Sequence, residues 1–469
     1  MPPSRTIRLS LALLAAAAPM SCSGGSEETP QTLGSRPACT TPTDDTVSWV
    51  QGWCADGNEC ETSRIVPGPG GDILLLGTEV DESMPGYTCL VSRISENGGR
   101  HWTRRLPRQF FFHNGAAVTE GWILVGSASL IGYTFPPSEI DGINVDIRGS
   151  ADGIVAKLGL NGHFVWVRRF GDDAIEVPCT SESCSEAVPV HEGARSVAVD
   201  ADGTLVITGL VHGLADLLGV AVQTVGKADA FVARLSAEGD LLWHRLYGGA
   251  DDESLSDVGE VAIGPDRGIV AALPGGALQK LSPAGKPLWS ASVVAASHAI
   301  APNGDVVTIG QTAGPDFDTQ YATISRLDPD GHLRWAKRFA EIKPPSAQVT
   351  ETTAWSLSLD AAGNAVVGGT FCSMANRPCE VAFGSTMLSD DGAGDPFLLD
   401  LDDQGELRWV RKIGEPWVTI PLALLVREDA IFLGGTYSGG FSLGGFELSG
   451  QVGMHGFAAR LGRCGKPNP

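Results

Sequence analysis

A spaced triplet of residues recurs along the chain and constrains the fold more than any other feature of the sequence. A leucine or isoleucine that ends an apolar stretch is followed by glycine four residues later and by tryptophan eight residues later. Such self-similarity indicates an architecture built from like units that pack on one another. The six complete copies are Ile94, Gly98 and Trp102; Leu158, Gly162 and Trp166; Leu235, Gly239 and Trp243; Leu281, Gly285 and Trp289; Leu327, Gly331 and Trp335; and Leu401, Gly405 and Trp409.

A seventh copy begins near the C-terminus and lacks its tryptophan. Leu461 and Gly465 keep the spacing, but the sequence stops at Pro469. At the other end of the chain, Trp49 lies in a short apolar stretch and belongs to no copy. We therefore predict that the segment around Trp49 supplies the missing strand of the seventh unit, which closes a ring that has no free sheet edge.

Each copy reads as four short strands. In the third copy these are RSVAVD, TLVITG, DAFVARLS and DLLWHRLYG, which are rich in apolar residues and separated by glycine-containing turns. The tryptophan then lies on the outermost strand, where it can pack against the neighbouring unit, so we interpret it as structural. We predict an all-β protein: a seven-bladed β-propeller over residues 46–469, with four-stranded blades and the last blade closed by the N-terminal strand.

The repeats resemble those of a known group of proteins. The segments DAFVARLSAEGDLLWHRLYGG at 229–249 and VAVDADGTLVITG at 197–209 resemble bacterial seven-bladed β-propeller repeat lipoproteins. The strand order, with tryptophan on the fourth strand, is similar to that of quinoprotein-like propellers. The resemblance covers about residues 46–469 and implies the fold, whereas it implies little about function, because propellers serve many purposes.

The first residues are typical of an export signal. Arg5 and Arg8 supply a basic region, and the apolar run from Leu9 to Ala18 is too short to span a bilayer. We therefore predict a signal peptide over residues 1–21 and an exported protein.

The residues PMSC at 19–22 resemble a bacterial lipobox, whose cysteine is lipidated and becomes the mature N-terminus. The resemblance implies a lipid anchor on Cys22, a flexible tether over residues 22–45 and attachment to the outer membrane, on a side that stays open. Pro19 departs from the usual leucine, so ordinary cleavage after a small residue such as Ala18 is the alternative.

The charge of the chain argues against nucleic acid as a partner. Lysines and arginines number 33 against 55 acidic residues, a net charge of −22 that becomes −24 without the two arginines of the signal. Such a surface repels phosphate backbones. We therefore expect no nucleic-acid partner. We expect the protein to associate with the membrane through its lipid anchor.

The antiparallel order of a blade decides which connections share a face. Connections that follow the second and fourth strands lie together, on what we call the long-loop face. All the long insertions fall there, at 171–194, 210–228, 340–354 and 370–394. Turns that follow the first and third strands are short and form the short-turn face.

Paired cysteines follow the same division. Cys54 with Cys60, Cys179 with Cys184, and Cys372 with Cys379 can each staple one connection of the long-loop face, as disulfides persist in exported proteins. We further predict that Cys39 pairs with Cys464 and locks the ring, a long closure that contributes on the order of 5 kcal/mol. Cys89 then remains as a buried thiol.

No constellation in the sequence identifies a catalytic, metal or cofactor site. GFSLG at 440–444 matches a serine-hydrolase pattern but lacks the strand-to-helix context, so Ser442 is assigned no role. The acidic pairs Asp172 with Asp173 and Asp251 with Asp252 are interpreted as solvated turn residues, with a bound cation as the alternative. We assign no catalytic residue, no metal ligand and no cofactor.

Three functional hypotheses remain. The leading one is a non-enzymatic cell-envelope propeller that binds an unknown protein or polysaccharide through its long-loop face. The second is a quinoprotein-like or glycan-cleaving enzyme with its site at the channel mouth on that face, and the third is an outer-membrane assembly scaffold. An enzyme should place at least two convergent ionisable groups in a deep pocket, whereas a binding module should present a broad surface of stapled loops.

The cysteine assignment predicts four disulfides and one thiol in the mature, lipidated protein. Intact-mass analysis with and without reductant, after alkylation of free thiols, measures this number directly. Recovery of five disulfides would contradict the assignment of Cys22 to the lipid and of Cys89 to a free thiol.

Overall fold

The computed structural model describes most of the chain from Val47 onward. The signal, the tether and the cysteines at 22 and 39 lie outside the described residues and stay predictions. The described ranges are 47–53, 59–80, 87–129, 139–149, 151–173, 192–249, 258–313, 319–339, 341–342, 350–372, 379–390, 394–414 and 418–463.

Seven antiparallel sheets form the blades of a propeller, each with four strands ordered from the axis outward. This confirms the predicted all-β, seven-bladed architecture. Blades 1 to 4 consist of Glu59–Pro67, Ile73–Val80, Tyr87–Ile94 and Arg100–Arg105; Phe110–Val118, Gly121–Ser129, Ala151–Gly159 and Phe164–Phe170; Gly193–Val199, Leu205–Leu217, Val220–Leu235 and Leu241–Tyr247; and Val261–Ile263, Ile269–Leu273, Ala277–Leu281 and Pro287–Ser292. Blades 5 to 7 consist of Ser297–Ile300, Val306–Ala313, Thr319–Leu327 and Leu333–Phe339; Thr353–Leu359, Ala365–Phe371, Asp395–Leu401 and Leu407–Lys412; and Val418–Val426, Ala430–Leu443, Phe446–Gly462 and Val47–Gly52.

The N-terminal strand closes the seventh blade, as predicted. Val47–Gly52 pairs antiparallel with Phe446–Gly462, with Trp49 opposite Arg460 and Val50 opposite Ala459. The first described strand of the chain is thus the outermost strand of its last blade. This pairing joins the two ends of the described chain and removes a free edge from the ring.

The hydrophobic core lies between adjacent blades. One cluster joins Leu74 and Leu76 of blade 1 to Trp122 and Leu124 of blade 2, and all four side chains are fully buried. Burial of one such side chain contributes about 1.5–3 kcal/mol. Apolar residues on both faces of the inner strands are therefore what make the blades stack.

Neighbouring blades also meet through the repeat tryptophan of one blade and the repeat glycine of the next. Gly285 has a φ of +77°, and a side chain built on it would lie 3.0 Å from the Trp243 ring. Glycine is needed here both for its left-handed backbone and for the closeness of the indole. The same pairing joins Gly98 to Trp49, Gly162 to Trp102, Gly239 to Trp166, Gly331 to Trp289 and Gly405 to Trp335.

A hydrogen bond from the indole fixes this contact. Trp289 Nε1 donates to the backbone carbonyl of Pro329, two residues before Gly331, at 2.9 Å. A partly buried indole N–H requires such an acceptor. The tryptophans are therefore structural, as the sequence predicted. Equivalent bonds run from Trp49 to Glu96 at 3.0 Å, Trp102 to Leu160 at 2.9 Å, Trp243 to Pro283 at 3.1 Å and Trp335 to Asp403 at 3.2 Å.

A second repeated contact was not recognised in the sequence. In most blades, the residue before the repeat leucine or isoleucine is a cation that pairs with a carboxylate of the first turn in its own blade. Blade 6 reverses the charges, because Asp400 occupies the cation's position and pairs at 3.0 Å with Arg463 of blade 7. The ordinary pairs are Arg93 with Asp72 at 2.6 Å, Lys280 with Asp266 at 2.7 Å, Arg326 with Asp305 at 2.8 Å, and Arg234 with Asp200.

Two long-face insertions are sheet extensions and not irregular loops. The predicted insertion at 210–228 continues Leu205–Leu217 and Val220–Leu235 as one long hairpin. Ser442 lies in the corresponding hairpin of blade 7, opposite Glu447, with a strand on each side of the turn. A strand-to-helix nucleophile turn is absent there, which supports the interpretation of Ser442 as a coincidence.

Short strands complete the described part of the fold. Cys379–Phe383 pairs with Thr386–Asp390 and with Glu341–Ile342 in a small sheet within two of the insertions. Glu139–Ile140 pairs with Ile143–Asn144, and Thr350–Glu351 lies parallel to the third strand of blade 5. Within the described ranges, no helix has the length and apolarity to cross a membrane.

The indole contact predicts a specific destabilisation. Gly285→Ala should lower the free energy of unfolding by roughly 1–3 kcal/mol, because the new Cβ adds a clash with Trp243 to the strain of a positive φ. Gly439→Ala is the matched control, since Gly439 has a φ of +76° and a Cβ added there would have no atom within 4 Å. Urea unfolding followed by circular dichroism measures both variants, and equal losses would show that the indole contact contributes nothing.

Candidate functional site

Four first strands carry one extra residue at the same level of the central channel. In blade 3, for example, Ala194 pairs with Gly209 and Ser196 with Thr208, which leaves Arg195 unpaired in a β-bulge. A bulge redirects the side chain of its extra residue. All four bulged residues line one cavity: Ser63, His113, Arg195 and Trp355.

A glycine opposite each bulge permits this geometry. A side chain at Gly209 would collide with the backbone carbonyl of Gly193, which the bulge brings onto the second strand. Only glycine leaves that space open. The same collision would occur at Gly77 with Glu61, Gly126 with Phe111 and Gly369 with Thr353. These glycines, each preceded by an apolar run such as LVIT, are the sequence signal from which the bulges could have been predicted.

The bulged residues open into a cavity of about 450 Å³ on the axis, which we call the channel mouth. It lies toward the long-loop face, because the early residues of the first strands and the second-to-third connection of blade 4 line it. Small residues keep it open: Gly259, Gly275, Gly276, Ala295 and Ala296.

Arg195 is a cation that forms no salt bridge with a described residue. Its guanidinium is enclosed by protein on most sides and open to the solvent of the channel mouth. Burial and the nearby charge of Arg64 lower the pKa of Arg195, and the charge of Glu260 only partly offsets them. The site therefore favours an anion beside this side chain.

Three other groups of the channel mouth can recognise a ligand. Glu61 accepts a hydrogen bond from the Thr78 hydroxyl at 3.0 Å and retains further acceptor capacity. Trp355 is 47% exposed although it lies on an innermost strand, and its N–H is held by Thr370 at 3.2 Å. Burial lowers the pKa of His113 to about 4, so that its imidazole is neutral at pH 7.

A polar network forms the floor of the channel mouth. Arg64 pairs with Glu260 across the channel and donates to Asn114 Oδ1 at 3.1 Å. Asn114 in turn donates to Ser196 Oγ at 3.3 Å, and Ser297 donates to Glu260. These side chains come from blades 1 to 5, and the pair of Arg64 and Glu260 crosses the channel.

Glu260, the carboxylate of the floor, is held by an ion pair with Arg64 and a hydrogen bond from Ser297. Burial alone would raise the pKa of Glu260, but the charge of Arg64 and the hydrogen bonds from Ser297 and Arg64 outweigh it and lower the pKa to about 2. Below the floor lies a second cavity of about 220 Å³. His298 Nδ1 and Ser356 Oγ line it without partners in the described structure. Polar groups of this kind suit ordered water.

A second group of carboxylates lies at the base of the 171–194 insertion. Asp152 and Glu192 approach one another across Gly171, where any side chain would collide with an oxygen of each. Burial raises the pKa of Asp152 to about 7 and that of Glu192 to about 8. Glu192 accepts hydrogen bonds from the backbone N–H groups of Asp172 and His212, so it ties the two sides of the insertion together.

The expectation for Asp172 was wrong in one respect. It is not a freely solvated turn residue, because its carboxylate lies 3.0 Å from His212 Nδ1 and its backbone binds Glu192. The acidic residues at 251 and 252 lie outside the described residues. In the described part of the chain, no group of three or more potential ligands is arranged to hold a metal ion.

The structure places one predicted cysteine pair at bonding distance. Cys372 and Cys379 form a disulfide with their Cα atoms 6.4 Å apart. Cys60 is also disulfide-bonded, but Cys54 lies outside the described residues, as do the cysteines at 39, 179, 184 and 464, so those pairings stay predictions. Cys89 is a buried free thiol, and burial raises its pKa to about 11.

The channel mouth is deeper and more charged than a surface made of stapled loops. Glu61, Arg64, His113, Arg195 and Glu260 all line it, which is the convergence of ionisable groups expected of an enzyme. The pKa values of His113 and Glu260 are both lowered, to about 4 and about 2, and so move away from neutrality.

Comparisons with known proteins show likeness at the level of backbone only. No family model and no curated protein sequence matches the chain. Its fold is similar to the Dos1 propeller, at a TM-score of 0.42 and 10% identity over 91% of this chain and 98% of that one. It is also similar to an inactive variant of virginiamycin B lyase from Staphylococcus aureus, solved with quinupristin. That TM-score is 0.37, with 10% identity over 87% of this chain and 98% of that one. For puromycin hydrolase the TM-score is 0.46, with 14% identity over 84% of this chain and 54% of that one.

The buried carboxylates predict how stability depends on pH. A carboxyl group whose pKa rises on folding stabilises the native state most below its ordinary pKa, 4.5 for Glu192, and that contribution is lost as the pH rises through about 8. Glu192→Gln removes this dependence and retains an acceptor for the two N–H groups. As the pH rises from about 5 to about 9, the unfolding free energy of the variant, measured relative to that of the unmodified protein, should increase by roughly 1–4 kcal/mol.

Denaturant titrations at several pH values measure this difference. Glu238→Gln, in an exposed turn of the same blade, is the control and should show no such gain. A constant difference between the Glu192 variant and the unmodified protein across the pH range would contradict the account.

Proposed function

We propose that this protein is a non-enzymatic, envelope-anchored binding protein that receives its ligand at the channel mouth on the long-loop face. The observation that carries the proposal is the set of four bulged residues that turn their side chains into one cavity of about 450 Å³. A volume of this size is typical of ligand sites. The ligand is a small molecule or the projecting end of an envelope protein or polysaccharide.

The floor of the channel mouth supports binding at this end of the channel. Arg64, Glu260 and Asn114 span the axis, so a ligand enters from the long-loop face and stops at the network. The disulfide between Cys372 and Cys379 stiffens one connection on that face. A preorganised site loses less entropy when it binds.

The envelope location rests on the sequence of the first residues. The basic and apolar signal, Cys22 in a lipobox-like segment and the tether to residue 45 support export and attachment to the outer membrane. One acyl chain gives only marginal membrane binding, so several chains are needed for a stable anchor. The net charge of −22 supports the exclusion of nucleic acid as a partner.

An enzyme at the same channel mouth is the second candidate. The convergence of Arg195, Glu61 and His113 in a deep pocket favours it. The pKa of His113, lowered to about 4, counts against a histidine base at neutral pH. Binding is therefore the better-supported function of the two.

A channel-mouth block tests the proposal. Ala296→Trp places a large side chain in the mouth, at a residue that is exposed to its solvent. We expect this variant to lose most of the envelope component that the unmodified protein enriches from cell-envelope extract, measured by mass spectrometry of proteins and by carbohydrate analysis.

Ala201→Trp is the matched control, since Ala201 is an exposed residue of the short-turn face. It should retain the enriched component. Equal recovery by both tryptophan variants would place binding elsewhere. Chemical conversion of the component by the purified protein would favour the enzyme.

A further inference from the structure

We infer that the channel mouth recognises a uronic acid, a pyranose sugar that bears a carboxylate, at the end of an acidic polysaccharide. The inference rests on the proposed function and names its ligand. It is carried by one cation that forms no salt bridge, one exposed aromatic face and two hydrogen-bond acceptors in one cavity with a polar network at its floor.

Arg195 selects the anionic group. Its guanidinium faces the cavity and makes no ion pair or hydrogen bond with any other described residue. A carboxylate can accept two parallel N–H bonds from a guanidinium, and such charge-assisted bonds are stronger in an enclosed site. Bound there, a carboxylate would also offset the repulsion between Arg195 and Arg64.

The channel mouth carries two cations and two carboxylates, so its charges suit a monoanion at Arg195 better than a dianion. Arg64 and Glu260 neutralise one another in the floor, which leaves Arg195 with the carboxylate of Glu61 as the remaining charged groups. A phosphate dianion would bring two charges to one guanidinium with a carboxylate in the same cavity. The site is therefore better matched to a carboxylate.

Trp355 provides a face for the sugar ring. The indole is 47% exposed, and its bond to Thr370 at 3.2 Å fixes the orientation of the ring. The bulge at Trp355 is what turns this large apolar surface toward the axis. A pyranose has an apolar C–H face that can lie on such a ring, so the residue would hold the sugar by its face while Arg195 holds its carboxylate.

The remaining groups match hydroxyls. Glu61 accepts from Thr78 and has lone pairs left for a sugar O–H, and the neutral imidazole of His113 offers one acceptor or donor. The pair of Arg64 and Glu260 crosses the axis below these groups and would stop a ligand there. The site would therefore take the end residue of a chain and not its middle.

Isothermal titration with purified protein tests the inference. The probes are glucuronate, galacturonate and digalacturonate, set against glucose, galactose, inorganic phosphate and an N-acetylated dipeptide with a free carboxylate. We expect at least one uronate to bind at least tenfold more tightly than its neutral counterpart, than phosphate and than the dipeptide.

Two variants and a control tie that binding to the residues. Arg195→Gln and Trp355→Leu should each weaken uronate binding at least tenfold while the circular dichroism spectrum stays unchanged. Arg245→Gln, on the exposed outer strand of the same blade, should bind as the unmodified protein does.

Other outcomes overturn the inference. These are absence of uronate binding, uronate binding that Arg195→Gln retains, or tighter binding of phosphate or of the dipeptide. If uronates fail while Ala296→Trp still abolishes capture of the envelope component, the proposed function survives and only the ligand class is wrong.

Discussion

The contact between a repeat tryptophan and the repeat glycine of the next blade, present at six described blade junctions, is the constraint on which the rest of the structure depends. The indole covers a glycine with a left-handed backbone and donates its N–H to a carbonyl in the same turn, as Trp243 does with Gly285 and Pro283. One contact therefore fixes both the distance and the rotation between blades. Repeated around the ring, it brings the described first strands to a common axis.

The site is formed where the repeat diverges. The bulged position is the same in each of four blades, yet it carries serine, histidine, arginine and tryptophan in turn, at 63, 113, 195 and 355. The scaffold supplies identical backbone positions around the axis, and the side chains at those positions supply the chemistry. Function in such a ring depends on sequence differences between blades, because the shared part of the repeat is occupied with packing.

The sequence revealed the ring because glycine and tryptophan at fixed spacing are local and repeated. It did not reveal Arg195, since GARSVAV reads as an ordinary inner strand and the bulge exists only through its register with Gly209 of the next strand. The approach of Asp152 to Glu192 was hidden for the same reason: the two residues are 40 positions apart and come close only at the base of an insertion. Local sequence patterns thus predict the scaffold, whereas the site depends on strand register and on contacts between residues that are far apart in the sequence.

The central claim is that ring closure presents Arg195, a cation that forms no salt bridge with a described residue, at a channel mouth with a polar floor. Anomalous diffraction from crystals soaked in bromide measures this directly, because a bromide ion binds where a fixed cation lacks its counterion. The account predicts a bromide peak beside the Arg195 guanidinium, above the pair formed by Arg64 and Glu260. An empty mouth, with Arg195 held by an acidic residue of the 171–194 insertion, would contradict it.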